Sequence, residues 1–455
     1  MQPASNAAHI LSLIALQAAL AIRVVAESEK SSVNALDAAL PRRIRIDNAW
    51  PKSDSLSSAW DPLQLSSLPG SRQAQVSVRE GSAVDYEQSR SKWSFPVCDQ
   101  LPELCSPATK RTQAALSEFL KDVSSGKAVY SSVAVDGEMP SLAADLLQRH
   151  LDTGLSRPLL LFQPQSAAHS RPKYFPGRRQ LFFSGPNVTS GWHCDISANL
   201  AAGLHGTRLW RLLPPEVHQK LKLFPFAHPR QRRASQHPEE VGLAHTAHEF
   251  VLGAGEMLFI PPFWFHSVYS LTPAVGVQQF FDTGPWLQAK RALSADFLRP
   301  TWLEMAQPSQ SEGRWQDAMR ALAQQTLPAC KGSDGHEVLR HFCRSRWNWL
   351  VTSRMNEAAM GQLSSIEAAS DTHACAYGGS CNNREPGYGS AMTSWASGLA
   401  AAVMAASKPA VRAQLLCSVW DELMVRTLFK AGRLAEALPR LVSSVDASKS
   451  ACTAS

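Results

Sequence analysis

Several patterns that mark common protein classes are missing from this sequence of 455 residues. None of its nine cysteines has the CxxC spacing, which argues against a zinc finger and against a thioredoxin-type redox motif. No internal stretch reaches about 18 consecutive apolar residues, so we expect no internal transmembrane helix. Charged residues make up only 18% of the chain, which indicates neither a coiled coil nor a long disordered region.

Basic residues are in modest excess and are scattered along the chain. The sequence has 45 Lys and Arg against 38 Asp and Glu, a formal net charge of +7. Short basic groups such as Arg230, Arg232 and Arg233 occur, but nucleic-acid-binding proteins usually show a denser basic stripe. We therefore expect no specific nucleic-acid binding.

The longest apolar run lies at the N-terminus, from Ile10 to Ile22. Arg23 ends this run, and Val24 and Ala26 are acceptable residues at the −3 and −1 positions of a signal-peptidase site. The pattern predicts a signal peptide over residues 1–26 and places the chain in the endoplasmic reticulum lumen or outside the cell. An uncleaved signal anchor and an organelle transit segment are the alternatives.

The cysteine content fits an oxidising compartment. Cys98 and Cys105 flank a short loop, as do Cys375 and Cys381, and disulfides close such loops readily in secreted proteins. Further candidates for disulfide bonds, whose pairing the sequence does not reveal, are Cys330, Cys343, Cys417 and Cys452.

Composition divides the remaining chain into three parts. Residues 27–98 are Ser-rich and predict a loosely ordered stem. Residues 99–285 form the candidate catalytic domain, which opens with predicted helices at Thr112–Val123 and Ser141–Thr153. Residues 286–455 predict a C-terminal helical region.

Short β-type runs separated by Pro- and Gly-rich turns fill the centre of the chain and predict a sandwich or barrel. These runs are Leu159–Phe162, Gln180–Phe183, Arg208–Leu213, Glu249–Leu252, Met257–Ile260 and Val275–Phe281. Helical spacing then returns in Arg314–Thr326, Val338–Met355, Met392–Ala406 and Ala410–Val442. The fold class predicted is therefore α+β.

Three side chains in the β region form a candidate metal site. His193 and Asp195 are two residues apart, so a strand would place both on one face, and His266 follows a later strand. Two imidazoles and one carboxylate on one face of an iron ion are typical of non-haem Fe(II) oxygenases. The HxD pair and His266 are each weak evidence for a metal site when taken alone. An isolated HxD is common, and a lone His beside aromatics is more often a core residue. Cys194, between the first two ligands, would point away from the metal as a packed thiol.

The surrounding motifs resemble the JmjC-type, cupin-like 2-oxoglutarate dioxygenases over residues 178–281. The likeness is strongest to the protein hydroxylases that include the asparaginyl hydroxylase of hypoxia-inducible factor. The family pattern TxxHxDxxxNxxxxxxGxKxWxLxPP is matched by Ser190, His193, Asp195, Asn199, Gly206, Trp210, Pro214 and Pro215. The second motif, GDxLFIPxxWxHxV, is matched by Gly255, Leu258, Phe259, Ile260, Pro261, Trp264, His266 and Val268.

This resemblance implies a double-stranded β-helix (jelly-roll) fold, Fe(II) bound by the two histidines and the aspartate, and 2-oxoglutarate and O2 as co-substrates. Ser190 and Asn199 would hydrogen-bond the 2-oxoglutarate. Arg208 stands where the family has the Lys that pairs with the distal carboxylate, and Arg can make this ion pair with a bulkier, planar group. Gln278 stands where the closing strand often has Asn near the metal.

The sequence therefore predicts an Fe(II)/2-oxoglutarate-dependent dioxygenase that hydroxylates a protein side chain in the secretory pathway. A catalytically silent cupin-like scaffold is one alternative. A JmjC histone demethylase or a tRNA hydroxylase becomes the alternative if the N-terminal segment is not a secretory signal. A sequon at Asn187 lies near the predicted site. The C-terminal helices could form a homodimer interface or could cap the barrel.

Overall fold

The computed structural model describes residues 40–44, 53–84, 110–135, 174–221, 223–224, 232–293, 321–322, 388–406 and 408–430. Strands dominate the central part of the described chain, and helices lie before and after them. The strands are β1 (Arg42–Ile44), β2 (Gln75–Glu80), β3 (Ala83–Val84), β4 (Lys110–Ala115), β5 (Val129–Ala134), β6 (Tyr174–Ser184), β7 (Thr189–Ser190), β8 (His193–Cys194), β9 (Ala198–His205), β10 (Arg208–Leu213), β11 (His248–Leu252), β12 (Met257–Ile260), β13 (Phe265–Ser270) and β14 (Ala274–Thr283). The helices are α1 (Ser53–Ala59), α2 (Pro62–Ser67), α3 (Pro69–Gln73), α4 (Leu116–Ser124), α5 (His218–Leu221), α6 (Gly284–Leu293), α7 (Tyr388–Met404) and α8 (Pro409–Lys430).

Two sheets form a jelly-roll β-sandwich, which confirms the predicted fold class. The larger sheet has the strand order β1-β12-β9-β14-β6-β5-β2-β4, and the smaller has β11-β10-β13-β7-β3 with β8 also paired to β13. Every pairing is antiparallel except that of β3 with β7. Side chains of the two sheets meet in an apolar interior that includes Ala201, Trp210, Leu252 and Leu258.

The central strand β9 is covered on both faces, which explains its composition. One face contributes Leu200 and Leu204 to a core shared with the N-terminal helices, and the other contributes Ala201 to the interior between the sheets. Because both faces are buried, the strand shows no alternation of apolar and polar residues. Its small residues gave no strand signal in the sequence.

Residues 53–84 belong to the folded body, so the prediction of a loosely ordered stem is wrong for this segment. Strand β2 pairs with β4 and β5 in the larger sheet. Three apolar side chains of this segment are almost fully buried against that sheet: Leu56 on α1, Trp60 between α1 and α2, and Leu65 on α2. The segment is rich in Ser, but its few apolar residues are spaced so that each reaches the core.

A tight turn between β9 and β10 requires glycine. Gly206 has φ +68°, and a Cβ atom there would lie 1.9 Å from the carbonyl oxygen of Pro273. Only glycine tolerates this conformation and this close approach. The turn sets the register in which β10 carries Arg208 and Trp210.

The C-terminal helices pack against the outer side of residues 192–196, where β8 carries His193 and Asp195 directly follows the strand. Trp192, Cys194 and Ile196 share one buried cluster with Trp395 of α7 and Leu416 of α8. The predicted helical region is thus present here as a cap over the ligand strand. Its role in a homodimer stays a prediction.

Most predicted strands lie in the described chain at or within a residue or two of the predicted positions. The helix predicted at Thr112–Val123 is wrong in its first part, because residues 110–115 form β4 and pair with β2 before α4 begins. The predictions at Leu159–Phe162, Ser141–Thr153 and Val338–Met355, like the signal peptide, lie outside the described residues. Helix α6 was not predicted.

Two of the nine cysteines lie in the described residues, and both are buried: Cys194 and Cys417. The packed position predicted for Cys194 is confirmed, whereas the other candidate disulfide partners of Cys417 lie outside the described residues. Cys417 lies on α8 and belongs to the same apolar cluster as Cys194. Among the described helices, none is long and apolar enough to cross a membrane.

Candidate metal centre

His193, Asp195 and His266 come together at one end of the sandwich interior. Their ligand atoms all lie within 4.8 Å of one another, a spacing that one ion can bridge. Strand pairing explains this, since β8 pairs with β13 and places His193 directly opposite His266. The imidazole centroids are 4.2 Å apart, and Nε2 of His266 lies 3.7 Å from Oδ2 of Asp195.

Backbone carbonyl groups orient both imidazoles. Nδ1 of His193 lies 2.8 Å from the carbonyl oxygen of Gly191, and Nδ1 of His266 lies 3.1 Å from that of Trp264. Each ring therefore carries its proton on Nδ1 and directs Nε2 towards its partners. Metal-binding histidines are commonly held in this way, with the second ring nitrogen donating to a carbonyl or carboxylate.

Asn199 orients the carboxylate. Its Nδ2 donates a hydrogen bond of 2.7 Å to Oδ2 of Asp195. The same side chain is fully buried, and its Oδ1 has no hydrogen-bond partner among the described residues. A buried amide oxygen without a partner is costly. Asn199 can therefore fix the ligand and offer one acceptor to a bound molecule.

Electrostatics give the three ligands the protonation states that a metal needs. Burial lowers the pKa of His193 well below its usual value, and the neighbouring His266 lowers it further. Burial likewise lowers the pKa of His266. For Asp195 burial acts to raise the pKa, but His266, His193 and nearby arginines outweigh it and leave the pKa below its usual value. At neutral pH the imidazoles are neutral and the carboxylate is ionised.

Ser190 is buried near the ligands but is already engaged. Its hydroxyl accepts a hydrogen bond of 2.9 Å from the amide of Val268, and its carbonyl oxygen accepts one of 2.7 Å from the hydroxyl of Ser267. These bonds tie β7 to β13 beside the candidate metal site. The hydroxyl can still donate its proton to a ligand.

Arg208 lies further along the interior and reaches across to the opposite sheet. Its Nη2 donates to the carbonyl oxygens of Phe182 and Ala274, at 2.8 and 3.0 Å, and to the hydroxyl of Ser184 at 3.2 Å. Gly276 makes this crossing possible, because a Cβ atom there would lie 2.6 Å from Nη1 of Arg208. The guanidinium group is therefore held in one orientation by the backbone of β6 and by the residue that begins β14.

A small cavity lies beside Arg208 inside the sandwich. Gln278 and Trp210 are among the residues that line it, together with the small residues Ala201 and Gly276. Its volume is about 10 Å³, close to the least that holds one water molecule. Gln278 thus lies on the Arg208 side of the interior. The indole N–H of Trp210 is buried without a partner among the described residues, and the ring centroid lies 6.0 Å from that of His266.

Arginines around the candidate metal centre were missed as site residues. Arg178 and Arg232 are close enough to act on the carboxylate of Asp195, and Arg233 acts on both imidazoles. The sequence showed Arg232 and Arg233 only as a short basic group. Arg178 is 54 positions before Arg232, and only the strand order brings the two together.

Two curated relatives are similar to part of the chain. Both are named tRNA wybutosine-synthesizing protein 4. The one from Aspergillus fumigatus is 30% identical over 192 residues, which is 38% of this chain and 18% of the relative. The one from Aspergillus oryzae is 31% identical over 156 residues, which is 33% of this chain and 14% of the relative. The chain thus matches less than a fifth of the length of these relatives.

Among solved structures, the X-ray structure of E. coli ycfD is similar to 57% of this chain over 55% of its own length, with 14% identity and a TM-score of 0.32. The Cupin-like domain family matches residues 48–285, just over half of the chain. That range contains all three candidate ligands, the strands that carry them and most strands of both sheets. The chain therefore belongs to the Cupin-like domain family.

Proposed function

We propose that the protein is an Fe(II)- and 2-oxoglutarate-dependent dioxygenase that hydroxylates a C–H bond of its substrate. The observation that carries the proposal is the cluster of His193, Asp195 and His266, with both imidazoles oriented by backbone carbonyls. Two imidazoles and one carboxylate are the ligand set typical of non-haem Fe(II) oxygenases. Bound iron with 2-oxoglutarate would supply the oxidising chemistry.

The protein's own residues would bind and orient these groups. The two imidazoles and the carboxylate hold the ion, and Asn199 keeps the carboxylate in place through its 2.7 Å hydrogen bond. The unpartnered Oδ1 of Asn199 and the N–H of Trp210 are a free acceptor and a free donor in the interior. Arg208 would supply the positive charge for the distal carboxylate.

The fit of 2-oxoglutarate requires one local change. The cavity beside Arg208 has room for about one water molecule, which is much less than a five-carbon acid needs. A movement of the Arg208 or Trp210 side chain would enlarge it. The distal carboxylate of 2-oxoglutarate would then replace carbonyl oxygens that now accept hydrogen bonds from the Arg208 guanidinium group.

Two substrate classes are candidates. The motif resemblance favours hydroxylation of a protein side chain, and the predicted signal peptide would place that reaction in the secretory pathway. The second candidate is tRNA, which the names of both curated relatives favour. The two differ in cellular location, so fractionation of cells that produce the tagged full chain separates them.

The first experiment is anaerobic titration of Fe(II) and 2-oxoglutarate into the purified protein, followed by the visible charge-transfer band of the chelate. We expect a band in the wild type and none in His193→Ala. His237→Ala is the matched control, since His237 lies exposed on a loop and should keep the band. Arg208→Lys should change the 2-oxoglutarate concentration at half saturation. A folded wild-type protein that gives no band with both ligands in excess would favour the cupin-like scaffold instead.

A further inference from the structure

Three arginines surround the candidate metal centre from both sheets. Arg178 lies on β6 of the larger sheet, and Arg232 and Arg233 lie on the segment that runs beside β8. The only carboxylate among the three candidate ligands is that of Asp195. Imidazoles carry no negative charge, so this carboxylate is the only negative group that the three ligands present to the arginines.

Arg178 is placed by an aromatic ring. Its Cζ lies 4.6 Å from the ring centroid of Phe280, which is 7% exposed. Phe280 is paired with Asn199 across β14 and β9, and Asn199 contacts Asp195. The Arg178 guanidinium group therefore stacks on Phe280, whose strand neighbour Asn199 contacts the candidate ligand Asp195. Arg178 itself stays exposed to solvent.

Arg232 and Arg233 are placed by the backbone. The amide of Cys194 donates to the carbonyl oxygen of Arg232 at 3.1 Å, and Arg233 forms an antiparallel bridge with His193. Arg233 is 3% exposed and donates through Nη1 to the carbonyl oxygen of Gly191 at 3.3 Å. Arg232 adopts φ +62°, a left-handed conformation, and is half-buried. The backbone of Arg232 is therefore held next to β8.

Neither Arg178 nor Arg232 forms a salt bridge with any acidic side chain in the described part of the chain. Other arginines of the sandwich do have such partners, as Arg43 has in Glu256 and Arg211 in Glu249. Asp282, near the end of β14, is paired with Lys290 at 2.7 Å. Among the described acidic groups, the carboxylate of Asp195 is the one that acts on both guanidinium groups, and neither forms a direct salt bridge with it.

We infer that Arg178 and Arg232 form an anion-binding subsite at the mouth of the metal centre, and that they bind phosphate groups of an RNA substrate. Guanidinium groups match phosphate and carboxylate oxygens with paired N–H donors. The net charge of +7 over the whole chain adds a non-specific attraction for a polyanion. This inference rests on the proposed function and chooses its second substrate class. Composition did not indicate it, because the arginines are dispersed in sequence.

The test measures binding of a fluorophore-labelled tRNA transcript by anisotropy at several salt concentrations. Variants are Arg178→Gln, Arg232→Gln and the double variant. Each lost phosphate contact should lower the slope of log affinity against log salt by about 0.7–0.9 and weaken binding by several-fold to about tenfold. The double lysine variant keeps both charges and should keep most of the slope.

Arg211→Gln is the matched control, because Arg211 lies on the outer face of β10 and pairs with Glu249. It should leave the slope unchanged. An unchanged slope in the double glutamine variant would overturn the inference. So would arginine-dependent binding of labelled poly-glutamate that is tighter than that of tRNA, which would point to an acidic protein.

The chelate band of the wild-type protein is measured in the same preparation. If the band is absent while tRNA binding depends on the arginines, the dioxygenase proposal fails and the subsite stands as an RNA-binding surface. If the band is present while the arginines leave tRNA binding unaffected, the dioxygenase stands and the subsite fails.

Discussion

The two ends of the sandwich interior differ in how their polar groups are satisfied. At the metal end, three ligand side chains converge, and Gly191, Trp264 and Asn199 hold them from behind. At the other end, Arg208 is turned towards the protein itself and bonds to backbone oxygens of the opposite sheet. One end is arranged to receive an ion, whereas the other is closed around a cavity of about one water molecule.

This difference shows which part of the site is pre-organised. Ligand geometry at the metal end is fixed by strand pairing, so binding an ion requires little rearrangement. Binding an organic acid at the other end requires that Arg208 exchange some of its present acceptors. We therefore expect metal binding and 2-oxoglutarate binding to respond to different substitutions.

The largest expected effect is on metal binding by Asp195→Asn. The substitution keeps the size of the side chain and removes its charge, so the ion loses its only anionic protein ligand. Changes behind a ligand typically cost 10–100-fold in metal affinity, and loss of the ligand itself should cost at least about 100-fold. Titration with Co(II), followed by its visible absorption, measures this without turnover.

His237→Ala serves again as the control, because His237 is exposed and is not one of the three clustered side chains. Equal Co(II) affinity in Asp195→Asn and the wild type would show that the carboxylate does not bind the ion. The metal end would then not differ from the Arg208 end in its ability to bind an ion.

The three candidate metal ligands were predictable from sequence because their chemistry is specific to residue type and spacing. His193 and Asp195 stand two apart, and His266 lies in a motif with its own strand and turn. What orients them was not predictable, since the carbonyl groups of Gly191 and Trp264 carry no residue signal. Tertiary pairing alone shows that these groups face the imidazoles.

The strands that sequence analysis missed have two causes. One is burial on both faces, and the other is placement by partners that are distant in sequence. Strand β9 has no alternating pattern because helices cover one side and the interior covers the other. Strand β2 lies in a Ser-rich segment whose pairing partners begin 35 residues later. Arg208 matched a family position, but only the structure shows that Gly276 gives its guanidinium group room.

A smaller effect is expected on 2-oxoglutarate binding from Trp210→Phe. This substitution keeps an aromatic ring beside Arg208 and removes the indole N–H, which has no partner in the described structure. If the N–H donates to a carboxylate oxygen, its loss should weaken 2-oxoglutarate binding by about 10–100-fold, as hydrogen bonds to charged groups contribute about 1.5–3 kcal/mol. The chelate band at saturating Fe(II) measures the affinity.

Trp60→Phe is the matched control for this experiment. Trp60 also has a buried, unpartnered indole N–H, but it lies in the core behind the larger sheet. The control should leave 2-oxoglutarate affinity unchanged, and both variants should bind Co(II) like the wild type. If the two variants affected 2-oxoglutarate equally, the N–H of Trp210 would have no role at this end of the interior.

The smallest expected effect concerns the helical cap behind the metal end. Gln414 of α8 is 1% exposed, its Nε2 donates to the carbonyl oxygen of Pro215 at 3.1 Å, and its Oε1 lies 3.8 Å from Sγ of Cys194. Gln414→Leu keeps the volume and removes both contacts, so the free energy of unfolding should fall by about 1 kcal/mol. Urea denaturation measures this, with Ser397→Ala on the exposed face of α7 as a control within about 0.5 kcal/mol of the wild type.

Because Cys194 lies between two metal ligands, the same change should also reach the metal end. We expect Gln414→Leu to weaken Co(II) binding by a few-fold, since the segment that carries His193 and, directly after β8, Asp195 loses a polar contact with its cap. A fall in stability with unchanged Co(II) affinity would mean that α8 only covers the sandwich. The cap and the metal end would then be independent, and strand pairing alone would account for the ligand geometry.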